Sequence, residues 1–274
     1  MKIRRYYRCD YTDELYRELK QCGVRFEYDP ALHWITLYLY DDYTDAARIK
    51  RLLPPEVFGE YVFDSSELLH AKLLLMRSKN QKLDNKNIEK TYAFSCAYQR
   101  TYKNHSEHFA HHREQVAPFE FAVPIKWGQS HFLSSVFGGF HTLFCDDIAM
   151  QIIRNEGLTG LQFESVIAYK KGCCADNIHQ LVFTEQLPNE ALALDGGFMK
   201  KPCPDCGRVQ YGYHMLSRLQ VKENGLGQFD FYRTDEIFGD GFAEPFLIIS
   251  NRAFRVLSDN HVTRNLVFQP LLLQ

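Results

Sequence analysis

The sequence predicts an α+β protein made of a small N-terminal β-α-β-β-α unit, residues 1–62, and a larger α+β domain, residues 63–274. The larger domain contains two similar strand-helix-strand units, 143–166 and 248–271. Three observations predict this. Short apolar runs bounded by turn residues outnumber helical stretches. The first 60 residues form a self-contained grammar of strands and capped helices. Finally, LFCDDIAMQIIRNEGLTGLQFESV aligns without a gap to IISNRAFRVLSDNHVTRNLVFQPL.

In the first unit, RRYYRC reads as a strand. TDELYRELKQCG reads as a helix with Thr12 as its N-cap and Gly23 closing it, because a hydroxyl satisfies an orphan N–H and glycine tolerates the left-handed turn. VRFEYD and HWITLYLY follow as strands joined by a turn at Asp29 and Pro30. TDAARIKRLLPP repeats the cap-and-stop pattern between Thr44 and the prolines 54 and 55. This pattern implies a support or docking module and no chemistry of its own.

Beyond it, SELLHAKLLLMRSKNQK is expected to begin as an amphipathic helix, and KTYAFSCAYQ as a strand. KNHSEHFAHHREQ gathers His105, His108, His111 and His112, which at helical spacing would place three of them on one face, within reach of one metal. The competing reading is a solvated helix or loop. In the two similar segments the cap-like pairs are Cys145-Asp146 and Ser250-Asn251. The expected buried positions are Ile148, Ile152 and Ile153 in the first and Ala253, Phe254 and Leu257 in the second, with Phe163 and Phe268 in the same core.

Composition narrows the function. With 34 acidic and 32 basic residues and a net charge of −2, the chain has no field suited to a polyanion, so no nucleic-acid partner is expected. The 21 phenylalanines and 16 tyrosines point to a rigid interior or to anchors for a protein partner. The start has no apolar targeting core and no run long enough to cross a membrane, so a soluble, cytoplasmic protein without a membrane partner is expected. Eight cysteines dispersed through a chain of this length suit reduced thiols better than a disulfide framework.

One cysteine pair carries chemistry. CPDCG, with Cys203 and Cys206 ahead of Gly207, has the spacing of a zinc knuckle, in which a glycine corner frees backbone N–H groups to donate to the sulfurs. Zinc takes four ligands, and the nearest candidates to complete the set are Cys174 and His179 in KKGCCADNIHQL, or His214 with one thiol. Two readings stay open, a bound zinc ion and a metal-free turn with two reduced thiols. PCPDC also matches half of the zinc-deaminase signature, with His105 and Glu107 supplying H-x-E. The long separation of the halves and the helix-breaking Gly207 argue against it. No nucleophile elbow, phosphate loop or HExxH is present, so no catalytic role is expected.

The stretch from CPDCGR through GQFDFYRTDEIFGDGFAEPFLIISNRAFRVLSDNHVTRNLVFQPL resembles the C-terminal part of the bacterial double-CXXCG motif immunity proteins. The matching residues are Cys203, Cys206 and Gly207, then Asp230, Phe231 and Arg233, then Ile248 to Ser250, Phe254, Leu266 and Phe268. The chain departs from that family in having one CxxCG motif rather than two. The resemblance implies an immunity protein of interbacterial competition that binds and neutralises a cognate toxin domain by stoichiometric complex formation. A zinc-dependent deaminase-type enzyme and a zinc-ribbon-like interaction module are the alternatives.

Overall fold

The computed structural model describes residues 2–274 apart from 79–84, 103–104, 138–139, 171, 189–190, 195–197, 204–205, 214–218, 223–226 and 240–242. Of residues 58, 89, 94–113 and 136–141 it describes only the backbone. The chain is a strand-rich α+β protein with few helices, and it divides into two compact units, Met1–Glu67 and the remainder from Leu68.

The first unit runs β1 (Lys2–Asp10), α1 (Asp13–Gln21), β2 (Phe26–Asp29), β3 (Trp34–Tyr40), α2 (Ala46–Lys50) and β4 (Phe58–Val62). Its strands lie in the order β2-β3-β1-β4 with every neighbouring pair antiparallel. Thr12 caps α1 by accepting the Leu15 N–H at 3.1 Å, and Gly23 at φ 69° reverses the chain after it. The strand period of two puts Ile35, Leu37 and Leu39 on one face, where they bury with Leu15 and Leu19 of α1 and Ala46 and Ile49 of α2. The β-α-β-β-α expectation omitted β4. FGEYV follows two prolines and carries a glycine and a glutamate, a weak strand pattern that becomes a strand by pairing with β1 from Lys2↔Val62 to Tyr6↔Phe58.

From α3 (Ser65–His70) the chain continues through β5 (Leu73–Ser78), α4 (Ile88–Thr91), β6 (Tyr92–Tyr102), β7 (His105–Gln115), β8 (Phe132–Phe137) and β9 (Phe140–Cys145). Then come α5 (Asp147–Asn155), β10 (Leu161–Ile167), β11 (Cys174–Phe183), β12 (Leu192–Ala193), β13 (Phe198–Pro202) and β14 (Val209–Tyr213). The last elements are β15 (Gln220–Val221), β16 (Phe231–Phe238), β17 (Glu244–Ser250), α6 (Asn251–Asp259), β18 (Leu266–Pro270) and β19 (Leu272–Leu273). Two sheets dominate, β10-β11-β9-β8 and β13-β14-β16-β17-β5-β18, with small sheets β12-β15-β19 and β6-β7 beside them.

The stretch expected to begin as a helix at Ser66 does so, and the helix stops at His70. Asp64 and Glu67 form a reciprocal capping box at its start, but the apolar run LLLM that follows is a buried central strand, β5, paired on both edges. The histidine-rich stretch is likewise a strand, β7, paired with β6 from Tyr92↔Gln115 to Tyr102↔His105, so the helical spacing argued for His105, His108, His111 and His112 does not apply.

Both similar segments run strand, helix, strand, each helix crossing over one intervening strand. β11 lies between β9 and β10, and β5 lies between β17 and β18, antiparallel to its neighbours in both cases. The N-caps are Asp146, accepting from Ala149 N–H at 2.9 Å, and Ser250, accepting from Ala253 N–H at 3.0 Å. Asp146 therefore matches Ser250 rather than Asn251, one position earlier than the gap-free alignment pairs them. Both helices end alike, with Gly157 and His261 near φ 60° and Leu158 and Val262 returning hydrogen bonds to Ile153 and Leu257. The strands that follow start at Leu161 and Leu266, so the second loop is one residue longer.

With the helices so matched, Ala149 and Ile153 occupy the places of Ala253 and Leu257, and all four are buried in one core shared by both sheets. Ile148, expected in that core, is 54% exposed; it sits at the second position of α5, on the face turned away from the sheet. Phe163 and Phe268 pack against the core half-buried, and Phe268 meets Phe254 edge-on at 4.9 Å.

Candidate partner-binding face

The face of the first unit's sheet that turns away from α1 and α2 carries the other half of the strand alternation. Register places Arg4 opposite Tyr40, Tyr6 opposite Tyr38, Arg8 opposite Thr36 and Asp10 opposite Trp34. A solvated antiparallel sheet face is ordinarily polar. Here Trp34 is 37% exposed and Tyr38 46% exposed.

Arginines organise these rings. The Arg4 guanidinium lies 4.9 Å from the centre of the Tyr38 ring, and Arg8 lies 5.3 Å from Trp34 and 5.9 Å from Tyr6. Arg8 also donates to the Tyr6 hydroxyl at 3.0 Å, and the Tyr6 and Tyr38 rings sit 5.2 Å apart. Arg4 is anchored in turn by Nε donating to Glu60 at 2.8 Å. These contacts fix long side chains that would otherwise lose rotamer freedom on binding, so the face is preorganised.

The charges beneath are neutralised within the unit. Arg5 donates to Asp41 at 2.9 Å and pairs with Glu56, and Lys50 also reaches Asp41. Burial alone would raise the Asp41 carboxyl, but hydrogen bonds and charge from Arg5 and Lys50 overcome it and hold the group below its ordinary range.

Cys203, Cys206 and Gly207 stand between the paired strands β13 and β14. Gly207 has φ 73°, its N–H donates to Cys203 O at 2.9 Å, and the Cys203 N–H donates to Arg208 O at 2.8 Å. The glycine corner is thus where the sequence placed it. Cys203 is buried and Cys206 exposed. Cys174 opens β11 opposite Ile167, while His179 lies beyond the positive-φ Asn177, opposite Ser165. His179 Nε2 is engaged by Asp147 Oδ1 at 2.7 Å, at the start of α5. Among the described residues no three His, Cys, Asp or Glu side chains are grouped to hold a metal ion, and Cys203, Cys206, Cys174 and His179 are not brought together. His214 lies outside the described residues, as do the side chains of His105 and Glu107.

A second histidine-carboxylate pair, His131 Nδ1 to Asp146 Oδ2 at 2.8 Å, holds the other capping residue of α5. Burial pushes the neighbouring Cys145 thiol far up, away from a reactive thiolate. The second unit also has a cleft of about 490 Å³ whose lining includes Glu164, Glu244, Arg208 and Arg233. Its lining includes Gln115 and Gln180, whose amides bond each other at 2.6 and 3.1 Å. No cysteine, histidine or serine is among its described lining residues.

The open sheet face had a signal in the sequence. In WITLYLY the aliphatic positions 35, 37 and 39 alternate with Trp34, Thr36, Tyr38 and Tyr40, and only one set can face a core. Comparison with known families, characterised proteins and solved structures finds no match to this chain.

Proposed function

We propose that the protein acts by stoichiometric binding of another protein, as an immunity protein that neutralises a cognate toxin domain. The observation that supports binding is the exposed Trp34-Tyr38 surface held by Arg4 and Arg8. Tryptophan, tyrosine and arginine are the residue types that dominate binding hot spots, and here they are ordered before any partner arrives. The neutralising role rests on the resemblance of the CPDCG-to-C-terminus stretch to the double-CXXCG immunity proteins. The matched caps and helix ends of residues 140–167 and 244–270 support reading these segments as copies of one unit.

The test is co-expression with the toxic domain encoded by the neighbouring reading frame. A fixed-ratio complex that survives gel filtration, and rescue that fails below equimolar protein, are expected. Trp34→Ala or Tyr38→Ala should each weaken the complex by about 2 kcal/mol, roughly thirtyfold. Rescue at far below one protein per toxin would replace this reading with an enzyme.

A further inference from the structure

The edge of the first unit's sheet carries a feature that the open face does not explain. β2 has only four residues and pairs with β3 from Trp34 to Leu37, so it is a short terminal strand whose outer edge faces no described strand. A groove of about 970 Å³ runs around it. Its lining carries three cations, Arg8, Lys20 and Arg25, against one carboxylate, Glu27. None of the three makes an ion pair with a described carboxylate, whereas Lys2, Arg4, Arg5, Arg48 and Lys50 of the same unit all do. In a chain with net charge −2, this is a local positive excess placed beside an open strand edge.

Two of these cations, Lys20 and Arg8, are held by aromatic rings rather than by acids. Lys20 Nζ lies 5.6 Å from the centres of both Tyr16 and Phe26, and Arg8 lies over Tyr6 and Trp34. The rings on the helix side continue from Phe26 to Tyr16 at 5.3 Å and from Tyr16 to Tyr28 at 6.4 Å. Cations fixed over ring faces keep their charge directed outward and pay little further ordering cost when a carboxylate arrives.

We infer that this groove receives an extended, acidic segment of the partner protein, laid antiparallel or parallel along the outer edge of β2. Strand addition supplies backbone hydrogen bonds from the free edge, and alternate side chains of the added strand point to the same face. On the helix side, a carboxylate of the added strand meets Lys20 and apolar side chains two residues away on the same face meet the Tyr16, Phe26 and Tyr28 rings. A polyanionic nucleic acid suits the site less well, because a phosphate chain has no backbone N–H with which to extend the sheet. This rests on the proposed protein-binding role and adds the chemistry of the bound segment.

The experiment uses the full chain and two ten-residue peptides, one alternating glutamate with valine and tyrosine, the other with lysine at every glutamate. Amide hydrogen exchange across Phe26–Asp29 and fluorescence titration are read for wild type and for Lys20→Glu/Arg25→Glu. Saturable binding of the acidic peptide alone is expected, with slowed exchange in β2 and at least tenfold weaker binding to the double variant. Equal binding of both peptides, no binding, or protection elsewhere with β2 unchanged would overturn the inference. So would self-association of the wild type that the double variant abolishes, which would assign the groove to a second copy. If a toxin complex forms equally well with wild type and double variant, the inference fails while the protein-binding role stands; if the peptide binds as expected and no toxin complex forms, the reverse holds.

Discussion

Gly160 gives a sharp test of the packing in the second unit. Its φ of 96° lies outside the regions open to L-residues, and a Cβ there would stand 3.1 Å from both C and N of Phe231 and closer still to its carbonyl oxygen. Those are backbone atoms, fixed because Phe231 N–H and Asp230 N–H both donate to Thr159 O at 3.0 Å and Gly160 O accepts from Thr184. The strained backbone costs about 1–3 kcal/mol and the forced shift about 1–3 more, so Gly160→Ala is expected to lose roughly 2–6 kcal/mol. Gly128 is the control: φ 58° and nothing within 4 Å, so Gly128→Ala is expected to lose only about 1–2 kcal/mol. The two tryptophans make the assay specific, since Trp34 lies in the first unit and Trp127 packs in the second. In a Trp34→Phe background, Trp127 fluorescence should show a urea midpoint lowered by about 1–2 M for Gly160→Ala. Equal midpoints for the two alanine variants would refute the close approach of Gly160 to β16.

Other outcomes follow from burial and charge. Leu257→Ala, in the fully buried core, should cost about 2–5 kcal/mol, while Phe163→Ala, half-buried, should cost less than the 3–5 typical of a buried phenylalanine; thermal unfolding compares them. Cys203→Ser should destabilise the second unit by about 1–3 kcal/mol and Cys206→Ser by less than about 0.5, because only the first is buried; equal losses, removed by a chelator, would instead reveal a metal held by both. Burial raises Glu236 above its ordinary 4.5, so its ionisation opposes folding above that pH and the opposition is relieved on acidification. Glu236→Gln should therefore stabilise at pH 7 and lose that advantage by pH 4 in urea titrations. Asp41 has the opposite sign: its depressed pKa adds stability above 3.8 that is lost as pH falls, and Asp41→Asn should abolish that acid sensitivity in the first unit.

Local rules carried the sequence reading where local physics decides. Thr12, Gly23, Asp146, Ser250 and Gly207 all act at the turns and caps their chemistry suits. Where pairing partners are remote, pattern fails. The LLLM run is equally compatible with a buried helix and a buried strand, and only its two neighbours, β17 and β18, make it a strand. The histidine-rich stretch becomes β7 through β6 in the same way. FGEYV needs β1 before it is a strand at all. Helix phase was misjudged by one step at Ile148 because gap-free alignment hid the extra residue in the second loop. Of the candidate metal residues, His179 bonds Asp147 and is separated from Cys174 by the left-handed Asn177, neither of which the spacing shows. The aromatic open face was written in the alternation of residues 34–40, although alternation alone does not tell which set meets solvent.

The place of β5 has a consequence for biosynthesis. Both neighbours of this strand, Glu244–Ser250 and Leu266–Pro270, lie far beyond it in the chain and are made long after it. Until they appear, four consecutive apolar side chains, Leu73 to Met76, have no sheet in which to bury. Such long-range pairing is slow and exposes an aggregation-prone edge for the whole interval of translation. A chain that stopped before Glu244 would thus carry this strand bare, a ready substrate for holdase chaperones and for quality-control proteolysis.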